Sequence, residues 1–319
     1  MKSNFYFFLY FFLLLFVSNN LLAQELPPIQ KFTSLDYGGE NQNWMISQGI
    51  DKFIYVGNNE GLLEYNGAKW KMYQSPNNTI IRAVNAVEKR IYTGCYMEFG
   101  FWERDVFGKL KYKSLVSKFK ESMIEDEQIW NIITLDEWML FQSLNRIYFY
   151  NTVSGVTKII HSKNVISKVF NIEKVIYYHV NNEGIFTIEA GKSRLLVDSS
   201  LFGNDKVVGM FQIPDGLLIL TRGLGFYKLI DGKLSVWNSA ASEVLKNINV
   251  FNSIQLKDKS FVIGTIKNGV IYLSKDGVVE YELNRSRGLS NNTALCLFED
   301  IDNNVWVGLD NGINCINIK

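Results

Sequence analysis

From residue 29 onward the apolar residues fall in short runs bounded by turn signals rather than at a helical period. Leu217-Leu218-Ile219-Leu220 and Val305-Trp306-Val307 are continuous runs of this kind. They are too short for helices and are rich in branched and aromatic residues, so they predict strands covered on both faces. Abundant Ile and Val, with 24 Gly and only 4 Pro, favour many short strands joined by glycine turns and exclude helical repeats.

The pattern repeats. Asp51-Lys52-Phe53-Ile54-Tyr55-Val56-Gly57 aligns position by position with Asp302-Asn303-Asn304-Val305-Trp306-Val307-Gly308, and an acidic residue before a strand recurs at Glu88, Asp136, Glu173, Asp215 and Asp258. This acid is read as a turn residue that bonds its own backbone two positions on. A glycine opens the next apolar segment at Gly61, Gly100, Gly184, Gly225, Gly269 and Gly312, with Asn145 in its place in the third copy. Turn glycines follow at Gly67, Gly108, Gly155, Gly191, Gly232 and Gly277. Among them Asn66-Gly67, Asp231-Gly232 and Asp276-Gly277 are the dipeptides that two-residue hairpins prefer. Each of the first six copies thus holds four strands. In the sixth they are predicted over Asn252 to Gln255, Phe261 to Thr265, Val270 to Leu273 and Val278 to Leu283.

Four-stranded units of about 40 residues are the length of a propeller blade, and seven copies give a seven-bladed β-propeller. The seventh copy contains only three strands, about Ala294 to Glu299, Val305 to Gly308 and Ile313 to Ile318. Its fourth must come from the unassigned apolar segment Ile29 to Leu35, paired antiparallel to Ile313 to Ile318. That pairing closes the ring and removes two exposed edges. The fold class is therefore all-β, with the last blade closed by the N-terminal strand and the domain running over residues 24–319.

Residues 1–23 read as a signal peptide. Lys2 is followed by the apolar run Phe5 to Val17, shorter than the roughly 20 residues a spanning helix needs, and Leu21-Leu22-Ala23 is an acceptable cleavage site. The expected location is periplasmic or secreted, with the membrane met only through this leader. A net charge of +1 gives no basic stripe for nucleic acid. Cys95, Cys296 and Cys315 share no metal or disulfide spacing and read as isolated strand residues.

Gly288-Leu289-Ser290-Asn291-Asn292, Ala294-Leu295-Cys296-Leu297-Phe298-Glu299-Asp300, Val305-Trp306-Val307-Gly308 and Gly312-Ile313 together resemble the repeat of two-component regulator propellers, the periplasmic sensor regions of large bacterial regulators. The resemblance is good in copies one, six and seven and weaker in the middle four. It implies an extracytoplasmic sensory propeller, and in many kinase members of the family a response to oligosaccharides. It also implies a following triple-tyrosine domain, a transmembrane helix and an output domain. None of these lies within residues 1–319, so the expectation is a binding propeller without an output domain of its own, working with downstream sensor domains or a protein partner.

Candidate chemistry is sparse. His161 and His179 are the only histidines, and His179 stands where Gly57 does in its repeat and reads as a satisfied core residue. Asp300 to Asn304 opens like a calcium loop but lacks the glycine and the distal glutamate, and reads as a hairpin turn. No catalytic residue, metal or cofactor is expected. In propellers the loops between second and third strands share a face with the inter-blade loops. Here they offer Asn58, Glu60, Tyr96, Glu98, Asn181, Glu183, Arg222, Lys267 and Asp310, polar and aromatic groups suited to an oligosaccharide or another small extracytoplasmic ligand. Tyr96 is the first choice, because its loop is the least turn-like. Two other readings stand beside the sensor: a protein-interaction scaffold, which needs a large apolar patch, and a secreted carbohydrate-active enzyme, which needs carboxylates about 5 to 10 Å apart.

Overall fold

The computed structural model describes residues 26–318 apart from 190 and 247. The leader expected over residues 1–23 lies outside the described residues. Seven antiparallel sheets of four strands are arranged around one axis, and the first strand of each is innermost. These inner strands are β2 (Asn43–Gln48), β6 (Ala83–Val87), β10 (Asn131–Leu135), β14 (Ile166–Ile172), β18 (Val207–Ile213), β22 (Val250–Gln255) and β26 (Ala294–Glu299). Each packs against the next in a closed cycle, with β2 touching both β6 and β26.

Covering both faces of every sheet places the core between blades. Among the described residues seven buried apolar clusters occur, each drawn from two neighbouring blades. In one of them Phe99 of the second blade packs on Phe141 of the third at 4.7 Å between ring centroids. The cluster between the fifth and sixth blades also takes Ala241 and Leu245 from a short helix, α2 (Ala240–Leu245), that the apolar pattern did not predict.

The last sheet is completed as expected. It runs β26, β27 (Asn304–Leu309), β28 (Ile313–Asn317) and then β1 (Ile29–Phe32), with Ile29 opposite Ile316 and Phe32 opposite Ile313. The strand stops at Phe32, short of Leu35. Thr33 donates its backbone N–H and its hydroxyl to the Asp36 carboxylate, both at 2.7 Å, and starts the helical turn α1 (Ser34–Tyr37). Leu35 consequently stands 94% exposed. Phe32 is buried, with its ring centroid 5.3 Å from Trp70 and 5.2 Å from Tyr65 of the first blade and 5.9 Å from Trp306 of the seventh.

The repeated acids all lie in first-to-second strand turns, but they do not all act alike. Asp51 Oδ1 accepts the Phe53 N–H at 3.1 Å and Asp258 Oδ1 that of Ser260 at 2.9 Å, the expected geometry. Glu88, Asp136 and Glu173 instead sit in two-residue turns at φ of 52°, 48° and 49°. In the seventh blade Asp300, not Asp302, is the acceptor. It takes the N–H of Asp302 at 2.9 Å, the N–H of Asn304 at 2.8 Å and the Trp306 indole N–H at 2.8 Å, which makes this segment a hairpin turn. Of the three hairpin dipeptides only Asp231-Gly232 forms a two-residue loop, with φ of 49° and 74°. Asn66 instead opens a four-residue loop because its Oδ1 accepts the N–H groups of Ala68 and Lys69, and Asp276-Gly277 lies inside the longer loop 274–278. In most blades the glycine that opens the third strand has a steric cause, although a Cβ at Gly225 would meet nothing within 4 Å. A Cβ at Gly61 would stand 2.2 Å from the Tyr73 carbonyl oxygen, and one at Gly269 2.1 Å from that of Leu283, both on the neighbouring fourth strand.

Cys95, Cys296 and Cys315 are free and lie in strands, as expected. Among the described residues no helix is long and apolar enough to cross a membrane.

The closing contact gives a direct test. Phe32→Ala is expected to lower stability by about 3 to 5 kcal/mol, the cost of truncating a buried aromatic, whereas Leu35→Ala leaves the urea midpoint unchanged. A strand extending through Leu35 would make both substitutions costly.

Candidate functional site

The inner strands begin on the face that carries the second-to-third strand loops, and five of them begin irregularly. In the first blade Asn43 pairs with Asn58 and Met45 with Gly57, which leaves Trp44 as an extra residue between them. The same bulge releases Ser167, Val208, Phe251 and Leu295 in blades four to seven. A bulge turns the freed side chain out of the sheet's alternation, here towards the axis. In blades two and three the equivalent place is taken by Arg82 and Trp130, which immediately precede their strands and donate backbone N–H groups to Gly94 and Gln142. All seven residues line one axial cavity of about 480 Å³.

This ring breaks the sevenfold symmetry. Blades one to four supply Trp44, Arg82, Trp130 and Ser167; blades five to seven supply Val208, Phe251 and Leu295. The Arg82 guanidinium lies between the two indoles, with its carbon 4.1 Å from the Trp44 ring centroid and 4.5 Å from that of Trp130. Each such contact contributes about 0.5 to 2 kcal/mol. Arg82 Nε donates to Gln128 Oε1 at 2.6 Å, and Trp44 Nε1 donates to Asn59 Oδ1 at 2.7 Å. Arg82 Nη1 and Trp130 Nε1 are buried without a hydrogen-bond partner.

Lys168, Lys206 and Arg222 also line the cavity, and none of the described lining residues is acidic. The Lys168 amine donates to the Val208 carbonyl at 3.5 Å and lies 5.8 Å from the centroid of the Phe170 ring, and burial pushes its pKa down to about 8. Beside it, burial pushes the Cys296 thiol up to about 12. Arg222 Nε donates to Asn249 Oδ1 at 2.6 Å, and its backbone N–H bonds the Lys206 carbonyl. The amides of Asn131, Gln142 and Asn252 complete the polar lining.

Of the loop residues singled out in the sequence, only Arg222 reaches this cavity. Asn58 is fully buried and holds the fold: its amide donates to the carbonyls of Glu40 and Gln42 and to Asn43 Oδ1, and its Oδ1 accepts the N–H of Glu40 and Glu60. The Tyr96 hydroxyl donates to Asp126 and its carbonyl accepts from Asn77, which pins the loop to the neighbouring connection. Glu98 accepts from Tyr112 and Ser114 of the last strand of its own blade. Asp310 accepts from Gln42, Glu183 accepts from Asn164, and Asn181 donates its backbone N–H to Val165. Glu60 and Lys267 are exposed. The lumen residues had one available signal, the residue beside each inner strand's start read down the seven copies.

On the opposite face a cavity of about 360 Å³ lies between blades one and two, but both of its arginines are paired with carboxylates. Arg104 meets Glu64 at 2.9 Å and Asp51 at 3.3 Å, and Arg90 meets Glu103 at 3.6 Å. His179 is buried as expected yet only half satisfied. Its Nδ1 meets Ser167 Oγ at 2.7 Å and its Nε2 has no partner. Among the described residues no cluster of three or more His, Cys, Asp or Glu could hold a metal.

No protein-family model and no curated protein matches this sequence. Solved structures do. The extracellular domain assigned to the one-component system BT4673 of B. thetaiotaomicron superposes with a TM-score of 0.74 at 18% identity, covering 92% of this chain and 40% of that one. The corresponding domain assigned to the hybrid two-component system BT3049 of the same organism gives 0.73 at 17%, covering 92% and 42%. A streptogramin B lyase gives 0.70 at 14%, covering 93% and 99%. At these identities the likeness shows the propeller fold, and this chain spans about two fifths of the length of the two B. thetaiotaomicron domains.

Burial holds the His179 pKa down at about 4, against an ordinary 6.5. The unfolded chain therefore takes up a proton at this site before the native one does. Stability associated with His179 is complete above pH 6.5 and is lost as pH falls towards 4, amounting to about 3 kcal/mol across that window. Denaturant titrations at pH 7, 5.5 and 4.5 should show that slope, and His179→Gln should flatten it.

Proposed function

We propose that this chain is an extracytoplasmic sensory propeller of a two-component-type regulator and that it binds a small oligosaccharide at the lumen mouth without transforming it. The observation that carries the reading is the asymmetric lumen ring, with two indoles and an arginine on one side and apolar residues on the other. Indole faces beside amides and cations suit the alternating apolar and hydroxylated surfaces of a sugar. A cavity of about 480 Å³ falls within the size range of small-molecule sites. The two extracellular signalling domains that share the fold, the resemblance of the repeat and the expected leader support the sensory role. The scaffold reading is weaker. Val106 and Phe107, 94% and 91% exposed, project from a single turn, well short of a broad apolar face.

A thermal-shift screen against a panel of oligosaccharides tests the reading. A binding sugar should raise the melting temperature of the native protein. Trp44→Ala should weaken its affinity at least tenfold, and Tyr96→Ala should leave it unchanged. Loss on Tyr96→Ala with retention on Trp44→Ala would move the site to the loop.

A further inference from the structure

Among the described residues the cationic side chains of the lumen form no ion pair. Ion pairs elsewhere in the described structure engage Arg90, Arg104, Lys113, Arg146, Lys174, Arg194 and Lys246, all away from the lumen. Among the described residues Arg82, Lys168, Lys206 and Arg222 form none, and the side-chain hydrogen bonds of Arg82, Lys168 and Arg222 go to neutral acceptors. The acid nearest by position, Asp205, is occupied with the backbone N–H groups of Lys206, Gly223 and Leu224. Gathering like charges in a half-enclosed, low-dielectric space without partners is destabilising, and it focuses a positive potential along the axis. Burial acts in the same direction, lowering the pKa of Arg82 as well as that of Lys168.

Donors are also left over. Arg82 Nη1 and Trp130 Nε1, on two stacked side chains, are both without an acceptor. Leaving a buried donor unsatisfied costs about 1 to 3 kcal/mol. An anionic oxygen acceptor entering beside the stack would engage Arg82 and, after a small shift of the indole, Trp130, while the ammonium and guanidinium groups across the lumen neutralise its charge.

We infer that the lumen selects an acidic oligosaccharide, one whose carboxylate or sulfate group docks at Arg82 opposite Lys206 and Arg222, with Lys168 deeper on the axis. This rests on the ligand-binding reading above and adds the charge of the ligand. It has an energetic corollary. The cations are kept for the ligand and not for the fold, so removing one should stabilise the empty protein while weakening binding. A purely structural cation would do the reverse.

The test uses the full chain on an oligosaccharide array that holds oligogalacturonates, their neutral methyl esters, sulfated galacto-oligosaccharides and unsulfated ones. Retention of the uronates or of the sulfated sugars, at least tenfold above their neutral counterparts, is expected; which of the two is retained identifies the charged group. Arg82→Gln should abolish the preference. Lys168→Met should weaken binding of the retained sugar at least fivefold while leaving the melting temperature of the unliganded protein unchanged or higher. Equal retention of neutral and acidic members, or a lower melting temperature for Lys168→Met, overturns the inference while the binding reading stands. No retention of any member overturns both.

Discussion

Pairing of β1 with β28 is the contact on which the rest of the structure depends. Each blade buries its faces only against its neighbours, so an incomplete seventh blade would expose the aromatic cluster it shares with the first. Phe32 lies at that junction, packed on Trp70 and Tyr65 on one side and on Trp306 on the other. Asn43 spans the same junction by donating to the Gly312 carbonyl at 3.0 Å. With the ring closed, the seven inner strands are held at fixed distances from the axis, and the lumen becomes a rigid space that binding need not assemble.

Within that frame a repetitive fold produces a site that is not repetitive. Bulges or their equivalents deliver one side chain per blade to the same height. Fold constraints act on the residues flanking that place: on Gly57, whose Cβ would meet the Ile81 carbonyl at 2.8 Å, and on Asn252, whose amide donates to the Ala294 carbonyl at 2.8 Å. The residue at that place differs from blade to blade, and it is there that Trp44, Arg82 and Trp130 break the pattern. Two indoles hold the guanidinium flat and leave it little conformational freedom to lose on binding. The cations around it, without ion-pair partners among the described residues, are a cost to the folded state that a bound anion would remove.

The blade count, the turn positions and the closing strand were legible because they recur or because one strand was left over. The acids at Asp51 through Asp302 and the turn glycines recur in nearly every copy, and the three-stranded seventh copy left Ile29 to Leu35 as the one segment able to complete it. Legibility failed where an effect is local or asymmetric. Leu35 belongs to an apolar run, but the Thr33–Asp36 capping interaction ends the strand before it. The helix at Ala240–Leu245 is too short for a period to show. Asn58 has the composition of a loop residue, and only tertiary contacts reveal it as a buried hub. The lumen residues escaped because a bulge adds one residue to the strand and shifts its alternation, so Trp44 and Ser167 do not read as inward-facing.

The most direct measurement is a crystal structure of the protein with an oligosaccharide retained on the array. Ligand density at the lumen mouth, with an acceptor oxygen within hydrogen-bond distance of Arg82 and the sugar between the first and third blades, is the expected result. Density in the cavity between Asp51 and Arg90 on the opposite face, or over the Tyr96 loop with the lumen holding only solvent, would contradict it.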